Sequence, residues 1–145
     1  MLFLSIHPEY VQAILEGRKT VELRKRRPRA EVGSTVVIYA TMPQCEVVAT
    51  AIVERIQSAE PAKLWRQVRD TAAVSKQAYE RYFADTETAV GIHLRHVQRF
   101  VEPIPLGDLR KSWEGFHPPQ QFRYLTSCQQ NFISLRHTEN CTPSS

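Results

Sequence analysis

The sequence is poor in the residues that hold metals or form disulfides. Its 145 residues include three cysteines, and no Cys-x-x-Cys pair occurs among them. Because Cys45, Cys128 and Cys141 are odd in number and widely spaced, they favour reduced thiols over a disulfide framework or a zinc site. The five histidines also lack the spacing of a metal site. We therefore predict no metal site and no cofactor.

Long apolar runs are also missing. No stretch approaches the roughly 18–20 residues that a membrane-spanning helix needs. The apolar start at residues 1–6 is shorter than the core of a signal peptide, has no basic leader and meets Pro8 at once. A chain of 145 residues is most simply one domain with its own core. We expect a cytoplasmic protein that does not bind a membrane.

Glycine is scarce, and this limits the kinds of active site that the chain can form. The five glycines are scattered, so no glycine-rich phosphate-binding loop is present. Neither a nucleophile elbow nor a Ser-His-Asp order is visible. Catalysis would therefore need a small set of two or three polar groups, as in a ribonuclease or an amidase.

Positive charge is modest in total but concentrated in one place. The formal net charge is +4, and seven of the 19 lysine and arginine residues fall between Arg18 and Arg29. A concentrated basic segment on a mildly basic protein is typical of a polyanion-binding surface. A solvated basic loop without a partner would show the same pattern.

The first half of this segment alternates apolar and polar residues, which is typical of a strand. In a strand over residues 20–24, Val21 and Leu23 share one face, while Thr20, Glu22 and Arg24 share the other. Lys19 lies beside the turn at Gly17 and can reach either face. An acid, a hydroxyl and cations on one surface can bind a polar anionic ligand, or they can form ion pairs and hydrogen bonds with one another.

The same residues resemble a known family. The pattern Gly17-x-Lys19-x-x-Glu22-x-Arg24 resembles the signature of the ASCH domains, a branch of the PUA-like β-barrels. Within that superfamily the chain is most similar to a bacterial and archaeal group described as predicted transcriptional regulators. Further similarity lies at residues 4–10, 25–28, 79–83 and 118–125. No additional helix-turn-helix segment supports the regulator description.

The resemblance implies an α+β fold with a small, partly closed β-barrel of five to six strands and flanking helices. Residues 1–125 would form the ASCH domain, and residues 126–145 a C-terminal extension that is flexible at its end. Periodicity predicts the individual elements. The predicted strands cover residues 2–6, 20–24, 36–40, 46–57 and 88–100, and predicted helices begin near Pro8, Pro61 and Ser75. Residues 113–125 are predicted as a loop with a short helical turn, and residues 138–145 as a frayed tail.

The resemblance also implies a cleft between the barrel and the helices, with Lys19 at its mouth and RNA or a nucleotide-like ligand as the partner. Glu22 and Arg24 would read the ligand or form an internal salt bridge. Tyr79 and Tyr82 would stack on an unpaired base or belong to the core. The other candidate ligand-binding residues are Ser5, His7, Thr20 and Arg123, together with Arg26, Arg27 and Arg29 for nonspecific phosphate attraction.

A hydrolase is the alternative to a binding module. Some ASCH proteins resemble amidohydrolases that act on N4-acetylcytidine through a lysine, a threonine and a glutamate. Lys19 matches the lysine, Glu22 stands at the threonine position, and Glu80 is a loose counterpart of the glutamate. Because the threonine is missing, we prefer binding of RNA or a modified base. The alternative is a metal-independent hydrolase of an acylated nucleoside or of RNA, with Lys19 and Glu22 as its catalytic residues.

Overall fold

The computed structural model describes residues 1–140, with side chains through His137. This part of the chain contains six strands and five helices. The strands are β1 (Leu2–Ile6), β2 (Val21–Arg24), β3 (Thr35–Ala40), β4 (Glu46–Ala59), β5 (Ala89–Pro105) and β6 (Phe122–Tyr124). The helices are α1 (Pro8–Leu15), α2 (Pro61–Val68), α3 (Lys76–Tyr82), α4 (Leu106–Ser112) and α5 (Ser127–Asn140).

The six strands form one curled half-barrel sheet in the order β2-β5-β4-β3-β1-β6. The pair β1 and β3 is parallel, and the other neighbouring pairs are antiparallel. This arrangement confirms the predicted α+β fold with a partly closed barrel of five to six strands.

Apolar side chains cover both faces of the sheet, which explains why all five residues of β1 are buried. Leu2, Leu4 and Ile6 pack inside the half-barrel against α1. Phe3 points to the opposite face, where it packs with side chains of α4 and α5. A third cluster joins β2 to α2 and α3. The third cluster holds the helices beside β2 and so forms one wall of the site described below.

Strand β5 is longer than the sequence predicted. The predicted strand ended near residue 100, because Pro103 and Pro105 were expected to stop regular pairing, but β5 continues to Pro105. Strand β2 pairs only with residues 90–93 of β5, so the outer edge of the later part of β5 has no strand partner in the described chain. A proline, which lacks the N–H, is tolerated at such an open edge.

The C-terminal part of the chain contains structure that the sequence analysis did not predict. Residues 113–125 form the predicted loop, but this loop includes the short strand β6, which pairs with β1. Helix α5 packs on the sheet through Ile133, which is 1% exposed. Most of the predicted frayed tail at 138–145 lies outside the described residues.

Candidate functional site

A cavity that we call the main cavity lies beside β2, between the end of β1 and helix α3. Its volume is about 380 Å³. Charged, hydroxyl and aromatic side chains come together in it from segments that are far apart in sequence. The lining residues are Ser5, Ile6, His7, Tyr10, Lys19, Glu22, Leu23, Arg24, Val74, Ala78, Tyr79, Arg81, Tyr82, Gln120 and Gln121.

Lys19 reaches this cavity because α1 ends in a glycine turn. Gly17 has φ +81°, a left-handed conformation that glycine adopts without strain. The backbone N–H of Lys19 then donates to the carbonyl oxygen of Ala13 at 3.1 Å, which directs the chain toward β2. The lysine itself is only 2% exposed.

The Lys19 ammonium group has defined neighbours. Its Nζ donates to the carbonyl oxygen of Ala72 at 2.5 Å and lies 4.9 Å from the centre of the Tyr10 ring. Burial lowers the pKa of Lys19, because desolvation disfavours the charged form, while the negative charge of Glu22 opposes this shift. An ammonium group has three N–H donors, so this geometry leaves donors for a ligand.

Glu22 and Arg24 form a buried pair in the cavity wall. Arg24 Nε lies 3.9 Å from Glu22 Oε1, and both side chains are less than one tenth exposed. Glu22 Oε1 also accepts the backbone N–H of Leu23 at 3.1 Å. The terminal nitrogens of Arg24 donate to the carbonyl oxygens of Ser5 and Gln121, each at 2.8 Å. Arg24 therefore ties β2 to the end of β1 and to the loop before β6, and it supports the carboxylate beside it.

Four buried polar atoms in this cavity wall have no hydrogen-bond partner among the described residues. They are Ser5 Oγ, Glu22 Oε2, Arg24 Nε and Gln121 Oε1. Buried polar atoms in folded proteins are nearly always hydrogen-bonded, so each exception calls for an explanation. A polar ligand in the cavity would supply both the donors and the acceptors that these atoms lack.

The three tyrosines in the cavity wall differ in what they can offer. Tyr79 is 2% exposed, donates its hydroxyl to the carbonyl oxygen of Pro61 at 2.7 Å, and packs against Trp65 and Phe83. Burial raises its pKa to about 12. Tyr82 is only partly buried, and the ammonium of Lys25 lies 5.0 Å from its ring centre. Tyr82 is therefore the better placed ring for stacking, whereas Tyr79 belongs to the core.

Thr20 does not line the main cavity as the strand pattern predicted. Its side chain is exposed, and it lies on the far side of Lys19. The strand begins only at Val21, because the backbone N–H of Thr20 donates to the carbonyl oxygen of Thr71 and its carbonyl accepts from Leu94. These two bonds fix Thr20 before regular alternation starts, so the expected grouping with Glu22 is wrong.

Two other candidate residues lie on the surface away from the cavity lining. Glu80 is exposed, and its carboxylate lies 3.9 Å from the ammonium of Lys76. Arg123 is exposed, with its guanidinium 5.3 Å from the ring centre of Phe116. His7 and Ser5 do line the cavity, at the end of β1.

The three arginines after β2 are exposed and do not line the cavity. Arg27 donates to Ser58 Oγ at 2.8 Å, and the backbone N–H of Arg29 donates to the hydroxyl of Tyr124 at 2.6 Å. Arg26 stands between them in the same loop. Their role in nonspecific phosphate attraction stays a prediction.

Several residues of the cavity lining were not among the predicted site residues, and two of them contact side chains that were. Tyr10 lies in α1, and its ring contacts the Lys19 ammonium. Gln121 lies in the loop before β6, and its carbonyl accepts from Arg24. Only the folded chain brings these residues to β2, so no spacing in the sequence could reveal them.

Residues 1–140 contain no group of three or more histidine, cysteine, aspartate or glutamate side chains that could hold a metal ion. No helix within the same range is long and apolar enough to cross a membrane.

Comparison with known proteins identifies the family. Residues 4–103 match the ASCH domain. The chain belongs to the ASCH domain family. The sequence resemblance is therefore confirmed, and the PUA-like superfamily fits the fold.

One relative is similar over most of its length. An ASCH domain-containing ribonuclease from Zymomonas mobilis is 36% identical over 133 residues, covering 91% of this chain and 89% of the relative. The crystal structure of ASCH from Zymomonas mobilis superposes with a TM-score of 0.86 over 92% of this chain and 94% of that chain. A Pseudomonas putida protein, at 17% identity and a TM-score of 0.59 over 93% of this chain and 97% of that one, shares the fold.

Proposed function

We propose that this protein binds single-stranded RNA, places one nucleotide in the main cavity and cleaves the RNA backbone there. One observation carries the proposal: the cavity gathers the buried charges of Lys19, Glu22 and Arg24 around polar atoms that have no hydrogen-bond partner in the described part of the chain. Buried charges are costly and are often found where a protein binds or transforms a ligand. A ligand with both negative charge and polar groups fits this set.

Three features favour RNA as that ligand. The cavity volume of about 380 Å³ lies in the usual range for small-molecule sites and suits one nucleotide rather than a duplex. Tyr82 offers an aromatic face to an unpaired base. The Zymomonas mobilis relative is named a ribonuclease, and it aligns with 91% of this chain.

Cleavage explains the site better than binding alone. The sequence hypothesis preferred binding because Glu22 replaces the threonine of the N4-acetylcytidine amidohydrolases. That replacement argues against amide hydrolysis, but a carboxylate is a good general base for a ribose hydroxyl. Lys19 is the candidate general acid, because burial lowers the pKa of its ammonium group and so favours proton donation.

In the proposed reaction, Glu22 accepts the proton of the ribose 2′-hydroxyl, and the 2′-oxygen attacks the neighbouring phosphorus. The bond between phosphorus and the 5′-oxygen breaks, and Lys19 donates a proton to that oxygen. The products are a 2′,3′-cyclic phosphate and a 5′-hydroxyl, so this step consumes no water and no second reactant. Arg24 positions the carboxylate of Glu22 through the buried ion pair.

The test is cleavage of a single-stranded RNA oligonucleotide by the intact protein and by Lys19→Ala. Removing the general acid should lower kcat/KM by about 100-fold or more. Lys63→Ala is the matched control, because Lys63 is exposed on α2 and lies outside the cavity lining. Circular dichroism on all three proteins separates a loss of chemistry from a loss of fold.

Two further substrates separate cleavage from the alternatives. An oligonucleotide with 2′-deoxyribose at every position should bind and remain intact, because the attacking hydroxyl is missing. Release of acetate from N4-acetylcytidine should stay at background. Acetate release that depends on Lys19, without RNA cleavage, would replace this proposal with the amidohydrolase function.

A further inference from the structure

A second cavity lies directly behind Lys19. Its volume is about 360 Å³, and it separates the end of α1 from the middle of β5. Lys19 lines both this cavity and the main one, so the two sites are neighbours across the turn that ends α1. From β5 it is lined by Leu94, Arg95, His96, Val97 and Arg99. We call it the β5 groove.

A bulge in β5 creates the groove. In the β4–β5 ladder Thr50 pairs with Gln98, and Ile52 pairs with Arg95. One residue lies between these pairs in β4 and two lie between them in β5, so β5 has one extra residue. His96 has φ +54°, a conformation that histidine rarely adopts. Consecutive strand residues normally point to opposite faces. Here the bulge turns Arg95, His96 and Val97 toward the same groove.

The groove is positively charged. Arg95 and Arg99 are exposed, and within the described residues the side chain of neither makes an ion pair or a hydrogen bond. Glu16 is the one acidic residue in the lining. Its two carboxylate oxygens accept from Gln12 at 2.9 Å and from Arg18 at 2.7 Å. The charge of Glu16 is therefore already compensated, and the two β5 guanidiniums remain available.

Building on the proposed function, we propose that the β5 groove is a phosphate subsite for the nucleotide next to the one in the main cavity. Arg95 and Arg99 bind the phosphate, since guanidinium groups can donate two parallel hydrogen bonds to phosphate oxygens. Val97, which is 37% exposed, supplies an apolar surface beside them for the ribose or base. A single strand that enters the main cavity at Lys19 would continue over the turn into this groove.

The experiment compares two RNA substrates in the double variant Arg95→Ala/Arg99→Ala. A dinucleotide has only the phosphodiester that is cleaved in the main cavity, whereas a ten-nucleotide RNA also supplies the adjacent phosphate. We expect KM for the longer RNA to rise about tenfold, the size of effect expected for hydrogen bonds to a charged group. We expect kcat, and all kinetics of the dinucleotide, to stay unchanged.

Arg66→Ala/Arg69→Ala is the matched control. It removes the same charge from the exposed surface of α2, outside the linings of both cavities. An equal rise in KM in this control would mean that only overall charge matters and would overturn the subsite. An unchanged KM in the β5 variant would overturn it as well.

Fluorescence anisotropy with the same ten-nucleotide RNA keeps the two proposals distinguishable. If the wild-type protein binds the RNA but does not cleave it, the proposed reaction fails. In that case the subsite is supported if Arg95→Ala/Arg99→Ala lowers the RNA affinity more than the control does, and it is overturned if the two variants bind RNA equally well. If the wild-type protein binds no RNA, both proposals fail, and the groove would have to serve another acidic partner.

Discussion

Two sets of cations in the basic segment have opposite environments, and we call them its buried half and its exposed half. Lys19 and Arg24 are buried beside Glu22 in the wall of the main cavity. The arginines at 26, 27 and 29 are exposed in the loop that follows β2. The two halves carry the same type of charge and lie in the same short segment, yet only the buried half lines the main cavity.

The contrast shows how burial changes the screening, the pKa and the geometry of a charged group. Exposed cations are screened by salt and attract a polyanion from any direction, without fixing its position. A buried cation has defined neighbours, a shifted pKa and a fixed geometry, as Lys19 has. We therefore assign chemistry to the buried half and attraction to the exposed half. The following predictions test this division, beginning with the largest effect.

Glu22→Gln should abolish most cleavage while leaving RNA binding almost intact. The amide has the shape of the carboxylate but cannot act as the base, so kcat should fall by about 100-fold or more. Glu80→Gln, on the exposed face of α3, should have no effect. Single-turnover kinetics and anisotropy measure the two quantities separately. Equal rates for the wild type and Glu22→Gln would remove Glu22 from the reaction.

Tyr82→Ala should weaken RNA binding by about tenfold or more, since stacking of a base on an aromatic ring is worth about 1–3 kcal/mol. Tyr79→Phe is the contrasting variant, because it removes the hydroxyl that donates to Pro61. It should lower the free energy of unfolding by about 1 kcal/mol and leave RNA affinity unchanged. The reverse pattern would place the base against Tyr79 instead.

Replacing Arg26, Arg27 and Arg29 by alanine should weaken binding to all RNA sequences alike. Each single-stranded phosphate contact contributes about 0.7 to the slope of log affinity against log salt, so the slope should become shallower by about 2. In the wild type, affinity should fall steeply between about 50 and 200 mM salt. The rate constant kcat should not change. A loss of kcat in this variant would contradict the division between the two halves.

The smallest effect concerns stability and pH. Burial lowers the pKa of Lys19 in the folded protein, so above that lowered value the unfolded state binds more protons than the folded state. The free energy of unfolding of the wild type should therefore rise with pH, relative to Lys19→Met, until the ordinary lysine pKa is reached. Urea titrations of both proteins from pH 7 to pH 10 measure the difference. A constant difference would mean that the pKa of Lys19 is not shifted.

Much of the fold could be predicted from the sequence because its strands and helices have clear local signals. Pro8 and Gly17 bound α1, and the β-branched run of β3 is buried as expected. The ASCH signature then implied how these elements are arranged. Helix α5 was missed because it has little apolar periodicity and packs mainly through Ile133. The bulge at His96 was missed because register depends on the partner strand.

The candidate site was harder to predict than the fold. The pattern placed Lys19, Glu22 and Arg24 together, and the cavity does contain all three. The alternation of side chains between the two faces of β2 does not extend to Thr20, because hydrogen bonds with Thr71 and Leu94 hold its backbone before the strand begins. The position of Tyr10 in the cavity wall was not predicted, because its contact with Lys19 depends on the turn between α1 and β2.

The most direct test of the account is a crystal structure with a short single-stranded RNA whose cleavage is blocked by 2′-deoxyribose at one position. We predict one nucleotide in the main cavity, with its phosphate within hydrogen-bonding distance of Lys19 Nζ and its base against Tyr82. RNA bound only along Arg26, Arg27 and Arg29, with none in the main cavity, would contradict the account. In that case the buried charges would serve the fold alone.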